Sequence, residues 1–519
     1  MLHTSPRLLL LAALAAASAC APAQSATVAP IVHAATPRPG AITITVDVPA
    51  DTPPEDAVFL QAGAGAILPM RRTGPRAWSL TVTREELAEV DGAAYDPATG
   101  VLRYAYTRGW GYLGAEASVD DHPDADWAEA RRRTLRPGLR HHDTVKRCRW
   151  FPAAGQQLPR YEQPLSTWSP RVDGVTFQAG VSFPDAWNEW GRYLTASTAG
   201  AAREQLGATW ALVSPRWDYR LVEPLPVLAE SADGTAAAGD IALRLHLRQL
   251  KASGLRVVLA PRLCCVEPGG NRGDEWMRAW FVEYERFLTH HARIAQAERV
   301  DGLLIDWSAT RVHGLPASAH GRSWYLGRWM ALLKSVRQAF RGPVGCDLKA
   351  DGAPDGYGLP WPWHDLRPIA GEFDFFGIAN WAAVASSGAT NQAEIDANTR
   401  SMFAASVDPI HRATGKPIVI TAVAYGSYDG AAMHALDPEQ VMARAFRPER
   451  GPAPVWDGLE QAMAVQGVMQ AVSHRPHVVG VYPFLYQYVA VPLAPDYSVR
   501  GKPAERVLAH WYALAGGGG

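Results

Sequence analysis

From about residue 170 the chain repeats one pattern. A short, nearly unbroken apolar run is followed by a longer stretch in which apolar residues recur every three or four positions. The apolar runs are Gly174–Phe183, Ala208–Trp217, Leu255–Cys265, Val300–Ser308, Pro343–Asp351, Phe373–Trp381, Pro417–Ser427 and His477–Tyr486. Runs of this kind suit parallel strands buried on both faces. The intervening stretches read as amphipathic helices. Leu243, Leu247 and Leu250 share one face, as do Trp276, Trp280, Tyr284, Phe287 and His291, and likewise Leu326, Met330, Leu333 and Val336. A further helix covers Thr198–Leu206, and a last one opens at Pro503 and carries Val507, Leu508, Trp511 and Leu514. Eight alternations over residues 171–519 predict an α/β fold, a (β/α)8 TIM barrel.

Upstream the period changes to two. Ile42–Val48, Ala57–Gly63, Ala77–Thr83 and Val101–Gly109 read as short strands separated by turn residues. They predict a small antiparallel β-sandwich over residues 41–150, joined to the barrel by a connector at 151–170. Residues 21–40, rich in Ala, Pro, Thr and Ser, read as a flexible tether.

Residues 1–20 carry the marks of an export signal: Arg7, an apolar run at Leu8–Ala17, and small residues at Ala17-Ser18-Ala19. Cys20 follows directly, as in lipoprotein signals, although Ala17 stands where those prefer Leu. The expected location is periplasmic, extracellular or lipid-anchored at the cell envelope. The apolar run is too short for a stable membrane span, so no integral membrane segment is expected. The formal net charge of −1 points to no nucleic-acid partner. A tethered two-domain chain of this charge needs no second copy, and a monomer is expected. Cys148, Cys264, Cys265 and Cys346 follow no metal-ligand spacing. They read as buried thiols or one disulfide of open pairing, and neither metal nor other cofactor is expected.

In a barrel of this kind the chemistry sits where the strands end. Asp306 and Trp307 end the fourth run, Asp347, Lys349 and Asp351 the fifth, Asn380 and Trp381 the sixth, and Tyr425 the seventh. Trp217 and Asp218 follow the second run, Glu267 the third, and Tyr482, Tyr486 and Tyr488 lie at the eighth. Each residue alone has a structural reading: Asp306 as a helix cap, the tyrosines as barrel filling, Asp351 as a turn, Lys349 as surface. Together, carboxylates that accept from hydroxyls and flat apolar rings that cover pyranose faces make a glycan cleft. The nineteen tryptophans of the chain matter here through their positions.

The stretches GVSFPDAWNEWGRYLT, GATWALVSPRWDY, LRVVLAPR, EFDFFGIANW, GKPIVITAVAYGSYDG, VVGVYPF and RGKPAERVLAHWY carry a resemblance. They resemble, in order, the clan A retaining glycoside hydrolases, above all the family-113 group that includes β-mannanases. The upstream stretches VPADTPPEDAVFL, PMRRTGPRAWSLTVT and YAYTRGWGY resemble a starch-binding-like module, with Trp78, Trp110 and Tyr112 as its candidate sugar platform. The clan resemblance implies glutamates at the ends of strands four and seven. This sequence has Ile305-Asp306-Trp307-Ser308 at the first position and Thr421-Ala422-Val423 at the second. An alanine can neither attack an anomeric carbon nor stabilise an oxocarbenium ion.

Two readings follow. In the first, the chain is a glycoside hydrolase with displaced carboxylates. Asp306 and Asp347 are catalytic, and Trp217, Asp218, Glu267, Trp307, Asn380, Trp381, Tyr425 and Tyr486 bind the glycan. In the second, the barrel has given up catalysis and serves as a glycan-binding or scaffold protein. The convergence of two carboxylates in an aromatic cleft discriminates between them.

Overall fold

The structure, a computed structural model, describes residues 41–516 apart from 51, 53–55, 63–65, 89–94, 97, 109–132, 136–139, 147, 149, 153–155, 163–175, 185–188, 231–238, 265–272, 308–318, 350–366, 387–390, 434–440, 442–443, 445–451 and 453. The export signal and the tether therefore lie outside the described residues.

The N-terminal part begins with β1 (Ile42–Asp47), β2 (Val58–Ala62), β3 (Ala66–Pro69), β4 (Arg71–Arg72) and β5 (Ala77–Val82). After helix α1 (Arg84–Ala88) come β6 (Tyr95–Asp96), β7 (Val101–Arg108), β8 (Arg133–Leu135) and β9 (Arg140–Thr144). One sheet has the order β4-β5-β1-β9 and the other β3-β2-β7-β6, with β8 also on β7. All these pairings are antiparallel except β1 with β9. Alternate residues of β1, namely Ile42, Ile44 and Val46, are buried. They join Val58, Leu60, Leu102 and Tyr104 in one apolar cluster, as two facing sheets require.

The barrel closes in the order β10 (Gln178–Ser182), β11 (Trp210–Val213), β14 (Arg256–Leu259), β16 (Gly302–Asp306), β17 (Val344–Lys349), β18 (Phe375–Asn380), β19 (Ile418–Val423) and β20 (Val478–Pro483). All eight expected strands are present, and all pair in parallel. The helices between and after them are α2 (Glu189–Leu206), α3 (Gly239–Ala252), α4 (Asp274–Ala297), α5 (Ala319–Ala339), α6 (Gln392–Met402), α7 (Asp408–Thr414), α8 (Gly458–Ser473) and α9 (Pro503–Gly516). Strand residues alternate between two cores. Trp210, Leu212, Val258, Leu304, Val419 and Tyr482 form a cluster inside the barrel. Ala211, Val257, Leu303, Ile305, Cys346 and their neighbours face the helices.

Two strands stop at a proline well inside their apolar runs. The second ends at Val213 and the third at Leu259, and each is followed closely by a proline, Pro215 or Pro261. A proline has no N–H to give a sheet ladder. The chain then starts new strands, β12 (Arg216–Leu221) and β15 (Arg262–Cys264), which pair with each other and, with β13 (Val227–Glu230), form a three-stranded sheet of their own. The helix α5 also differs from expectation. Its buried face is Tyr325, Trp329, Leu332, Leu333 and Val336, while Met330 is exposed. The helix turns its aromatic stripe inward because Trp329 has the larger apolar area to bury.

The seam between the first and last strands is stitched by tyrosines. Tyr482 fills the interior beside Gly180, where any Cβ would come within 2.3 Å of its ring. Its hydroxyl donates to Gln178 Oε1 at 2.9 Å. The Tyr512 hydroxyl, from α9, lies 2.8 Å from both Gly180 O and Val481 O, on the two sides of the seam.

Candidate functional site

Asp306 and Asp347 are direct register partners on β16 and β17. Asp306 follows Leu304 by two positions and so faces the interior, at the open end of the barrel. Asp347 is buried, at 5% exposure, and both of its oxygens are engaged. Arg262, from β15, donates Nη2 to Asp347 Oδ2 at 3.0 Å. Thr421, from β19, donates its hydroxyl to Asp347 Oδ1 at 2.7 Å. Gly377, the β18 register partner of Asp347, leaves room for the carboxylate: a Cβ there would lie 2.6 Å from Oδ1 and 2.7 Å from Thr421 Cγ2. Asp306 is half-buried, and its backbone carbonyl accepts from the Tyr284 hydroxyl at 2.8 Å.

Both carboxylates act on the groups behind them. Cys346 is a free, buried thiol whose pKa is pushed well up, first by burial and then by Asp347 and Asp306. Burial raises the Tyr284 phenol as well, with Asp306 adding to the effect. Cys148 is also a buried thiol, in line with the thiol reading for these two residues.

The aromatic residues expected at the mouth are mostly elsewhere. Trp307 is one residue past Asp306 and points the opposite way, into the helix layer, with its ring 4.4 Å from that of Trp329 and 6.1 Å from that of Tyr325. Trp217 also faces the helices. It packs on Phe287, His290 and His291 of α4, with the Arg286 guanidinium 4.7 Å above its ring. Both rings are core residues in this fold: the two-residue strand period turns Trp307 away from the cleft, and Trp217 belongs to the separate three-stranded sheet. Tyr486 is fully buried and donates to Glu505 Oε1 at 2.7 Å. Asn380 and Tyr425, each 1% exposed, satisfy one another. Asn380 Nδ2 donates to the Tyr425 oxygen at 3.3 Å, that hydroxyl donates to Ala382 O at 2.9 Å, and Ala382 N donates to Asn380 Oδ1 at 3.2 Å. They brace the end of strand six.

Two expected residues remain at or near the opening among the described residues. Trp381 is half-buried and packs on Phe484 and Tyr497, at 4.9 and 5.7 Å between ring centroids. Asp218 lies on β12, beyond the barrel strand, with its Oδ1 buried and without a hydrogen-bond partner among the described residues. Glu267 lies outside the described residues, as do Asp351, Trp110 and Tyr112. Trp78, the remaining member of the sugar platform suggested for the N-terminal sheets, is buried.

Sequence reasoning missed Arg262, Thr421 and Gly377. Arg262 carried a signal: Pro261 ends strand three and places the next side chain over the opening. Thr421 carried another, being two positions beyond the interior residue Val419. Strand β19 also has register irregularities around these positions, between Ile420 and Val423 on the β20 side. Such bulges re-aim side chains near sites. Ala422 itself is buried and brings no chemistry.

Past strand eight lies a buried polar network. Lys502 is fully buried, forms an ion pair with Asp496 and donates to Ser427 Oγ at 2.9 Å. Burial lowers the Lys502 pKa and raises that of Asp496. Arg500 Nη1 donates to Tyr488 O at 2.6 Å and to Gln487 O at 3.1 Å.

No family model matches the chain, and no curated protein matches it. Solved structures do. A family-113 β-mannanase from Alicyclobacillus acidocaldarius, in complex with ManMIm, has 16% identity, covers 66% of this chain and 99% of its own, and gives a TM-score of 0.49. A complex of a family-113 β-1,4-mannanase has 18% identity over 65% of this chain and 99% of its own, with a TM-score of 0.46. The endo-β-1,4-mannanase of Thermotoga petrophila has 10% identity, covers 66% of this chain and 77% of its own, and gives a TM-score of 0.40. This chain's own strand pairing defines a closed, parallel eight-stranded barrel, the fold class in which strand ends hold the active site.

Proposed function

We propose that the barrel acts on a glycan by glycosidase-type hydrolysis, with Asp306 and Asp347 as its paired carboxylates. The observation that carries this reading is their direct register at the open ends of adjacent strands. Neighbouring strands lie about 4.8 Å apart, which suits the roughly 5–5.5 Å between carboxyls of retaining enzymes better than the wider inverting spacing. One carboxyl protonates the leaving oxygen while the other captures the oxocarbenium-like centre, and water, giving its proton to the first carboxyl, then displaces the second and releases the sugar. Trp381 offers its half-buried ring, and Asp218 an acceptor for a sugar hydroxyl.

A specific observation also favours the second reading, glycan binding without hydrolysis. Ala422 occupies the strand-seven position, and several rings expected in the cleft are buried instead. One experiment separates the two. The purified protein is incubated with mannans, α-glucans, β-glucans and bacterial exopolysaccharides, beside Asp306→Asn. Cleavage that disappears in the variant establishes the hydrolase. Binding by both proteins with cleavage by neither establishes the binder. We further propose export directed by residues 1–20. Cell fractionation of the full chain, and of a chain lacking those residues, tests it: the shorter chain is expected to stay in the cytoplasm.

A further inference from the structure

We propose that the N-terminal sheets are a working part of the barrel mouth: the turn at Trp150 and Phe151 holds the segment after strand eight, and that segment positions Trp381. Trp150 and Phe151 are then positioning residues that act on this ring through the segment. The role of Trp381 as a glycan contact rests on the reading given above. The coupling to it does not.

The junction is built from both sides. On the side of the sheets, the guanidinium of Arg108, the last residue of β7, lies 3.6 Å from the centroid of the Phe151 ring. Arg108 is buried and pairs with Asp56, so the ring covers an ion pair inside the sheets. On the side of the barrel, Leu493 N donates to the Trp150 carbonyl at 2.9 Å. Its neighbours in the segment are held as well. Pro492 O accepts from Trp456 Nε1 at 2.9 Å, and Ala494 O accepts from Ser427 Oγ at 2.8 Å. The apolar core runs across the junction: Val46, Val145 and Phe151 share one cluster with Val489 and Val491. Free relative motion is the expectation for two domains that meet through a small polar contact, and a shared apolar core removes that expectation. From Ala494 the segment continues to Tyr497, which is buried against Trp381 and Phe484, at 5.7 and 6.0 Å between ring centroids. The backbone is strained at both ends of this path. Among the described residues three non-glycine residues have positive φ, and two of them are Trp150, at 46°, and Leu485, at 57°, directly after Phe484. An L-residue adopts this conformation at an energetic cost, so the surroundings must impose it. Such strain gathers where the rest of the fold sets the geometry of a site.

The test labels the full chain with fluorotryptophan and reads the fluorine resonances, with Trp381→Phe and Trp307→Phe identifying two of the signals. Phe151→Ala should shift or broaden the Trp381 signal and leave that of Trp307, just past strand four, in place. Phe151→Leu should restore part of the change. A Trp381 signal indifferent to Phe151→Ala overturns the proposal. So does an equal response from Trp307, which reports a general loss of structure. If Phe151→Ala does not fold, hydrogen exchange in the unaltered chain at low urea decides. The Leu493 amide should then open together with that of Val145, which donates to Asp47 O within the sheets, and show the same dependence on urea. A Leu493 amide that follows Leu303 of strand four instead overturns the proposal. The glycan screen is independent of both readouts. The expected responses without glycan binding remove the sugar role of Trp381 and leave the coupling standing. Glycan binding weakened by Trp381→Ala, with a Trp381 signal indifferent to Phe151→Ala, does the opposite.

Discussion

The two sides of the barrel mouth spend the same residue types differently. At strands four and five, charged groups end the strands with a path to solvent: Asp306 is half-buried, and Asp347 is tied to a partly exposed Arg262. At strands six to eight, Asn380, Tyr425, Tyr486, Asp496 and Lys502 bond to one another, to other buried side chains or to backbone, and all are almost wholly buried. The first side leaves charged groups partly accessible. The second uses its polar groups internally, to hold the long segment after strand eight against the barrel. A tyrosine or aspartate at a strand end is therefore ambiguous by type. Its facing and its partner decide.

The largest test of this contrast falls on the sealed side. Lys502→Met leaves Asp496 charged and unpaired in the interior, and should cost about 3–5 kcal/mol, read from urea unfolding. Adding Asp496→Leu should recover much of that loss, because the penalty belongs to the unpaired charge. Asp306→Asn, on the open side, should leave unfolding nearly unchanged. Comparable losses from the two single variants would dissolve the contrast.

Next come the tryptophans. Trp307→Ala opens a cavity beside Trp329 and should cost about 3–5 kcal/mol. Trp381→Ala should cost less in stability and more in glycan affinity, measured by titration calorimetry. Gly377→Ala is expected to lose about 1–3 kcal/mol, since its methyl group meets Asp347 and Thr421. It should also abolish turnover, if the carboxylate must stay where it is.

The most gradual effect lies in the helix layer between strands two and four. Burial pushes His246 and His291 down to about 3, from an ordinary 6.5. Below pH 6.5 the unfolded chain takes up protons that the folded one refuses. Stability should therefore fall as the pH drops from 6.5 toward 3, by up to about 1.4 kcal/mol per pH unit for each histidine. His291→Gln should flatten part of that slope in a series of unfolding curves. An unchanged slope would show that the imidazole is not held neutral.

Much of this architecture was legible in the chain. The eight apolar runs became the eight barrel strands, because continuous burial on both faces leaves a signal no turn residue can imitate. The sequence was less clear about where two strands stopped: Pro215 and Pro261 sit inside apolar runs whose hydrophobicity continues past them. That misreading put Trp217 at a barrel strand end, when it belongs to a separate sheet facing α4. Trp307 shows the other limit. Its neighbour Asp306 faces the interior, so the strand period alone turns Trp307 away. The supports of Asp347 were the hardest to see, since Arg262, Thr421 and Gly377 meet only when strands distant in sequence are closed into one ring.

That ring has a seam, and the seam has a schedule. Strand β10 pairs with β20, so the first strand of the barrel waits for a partner about three hundred residues downstream. Until then it has an open edge, and open edges invite pairing with other chains. Contacts this distant in sequence slow folding, because a long loop must be closed before they form. The Tyr512 hydroxyl, set between Gly180 O and Val481 O, fastens the joint only once α9 has docked. A chain cut short before residue 478 would lack its closing strand. It should reach the aggregate before it reaches the fold, however sound its first seven strands.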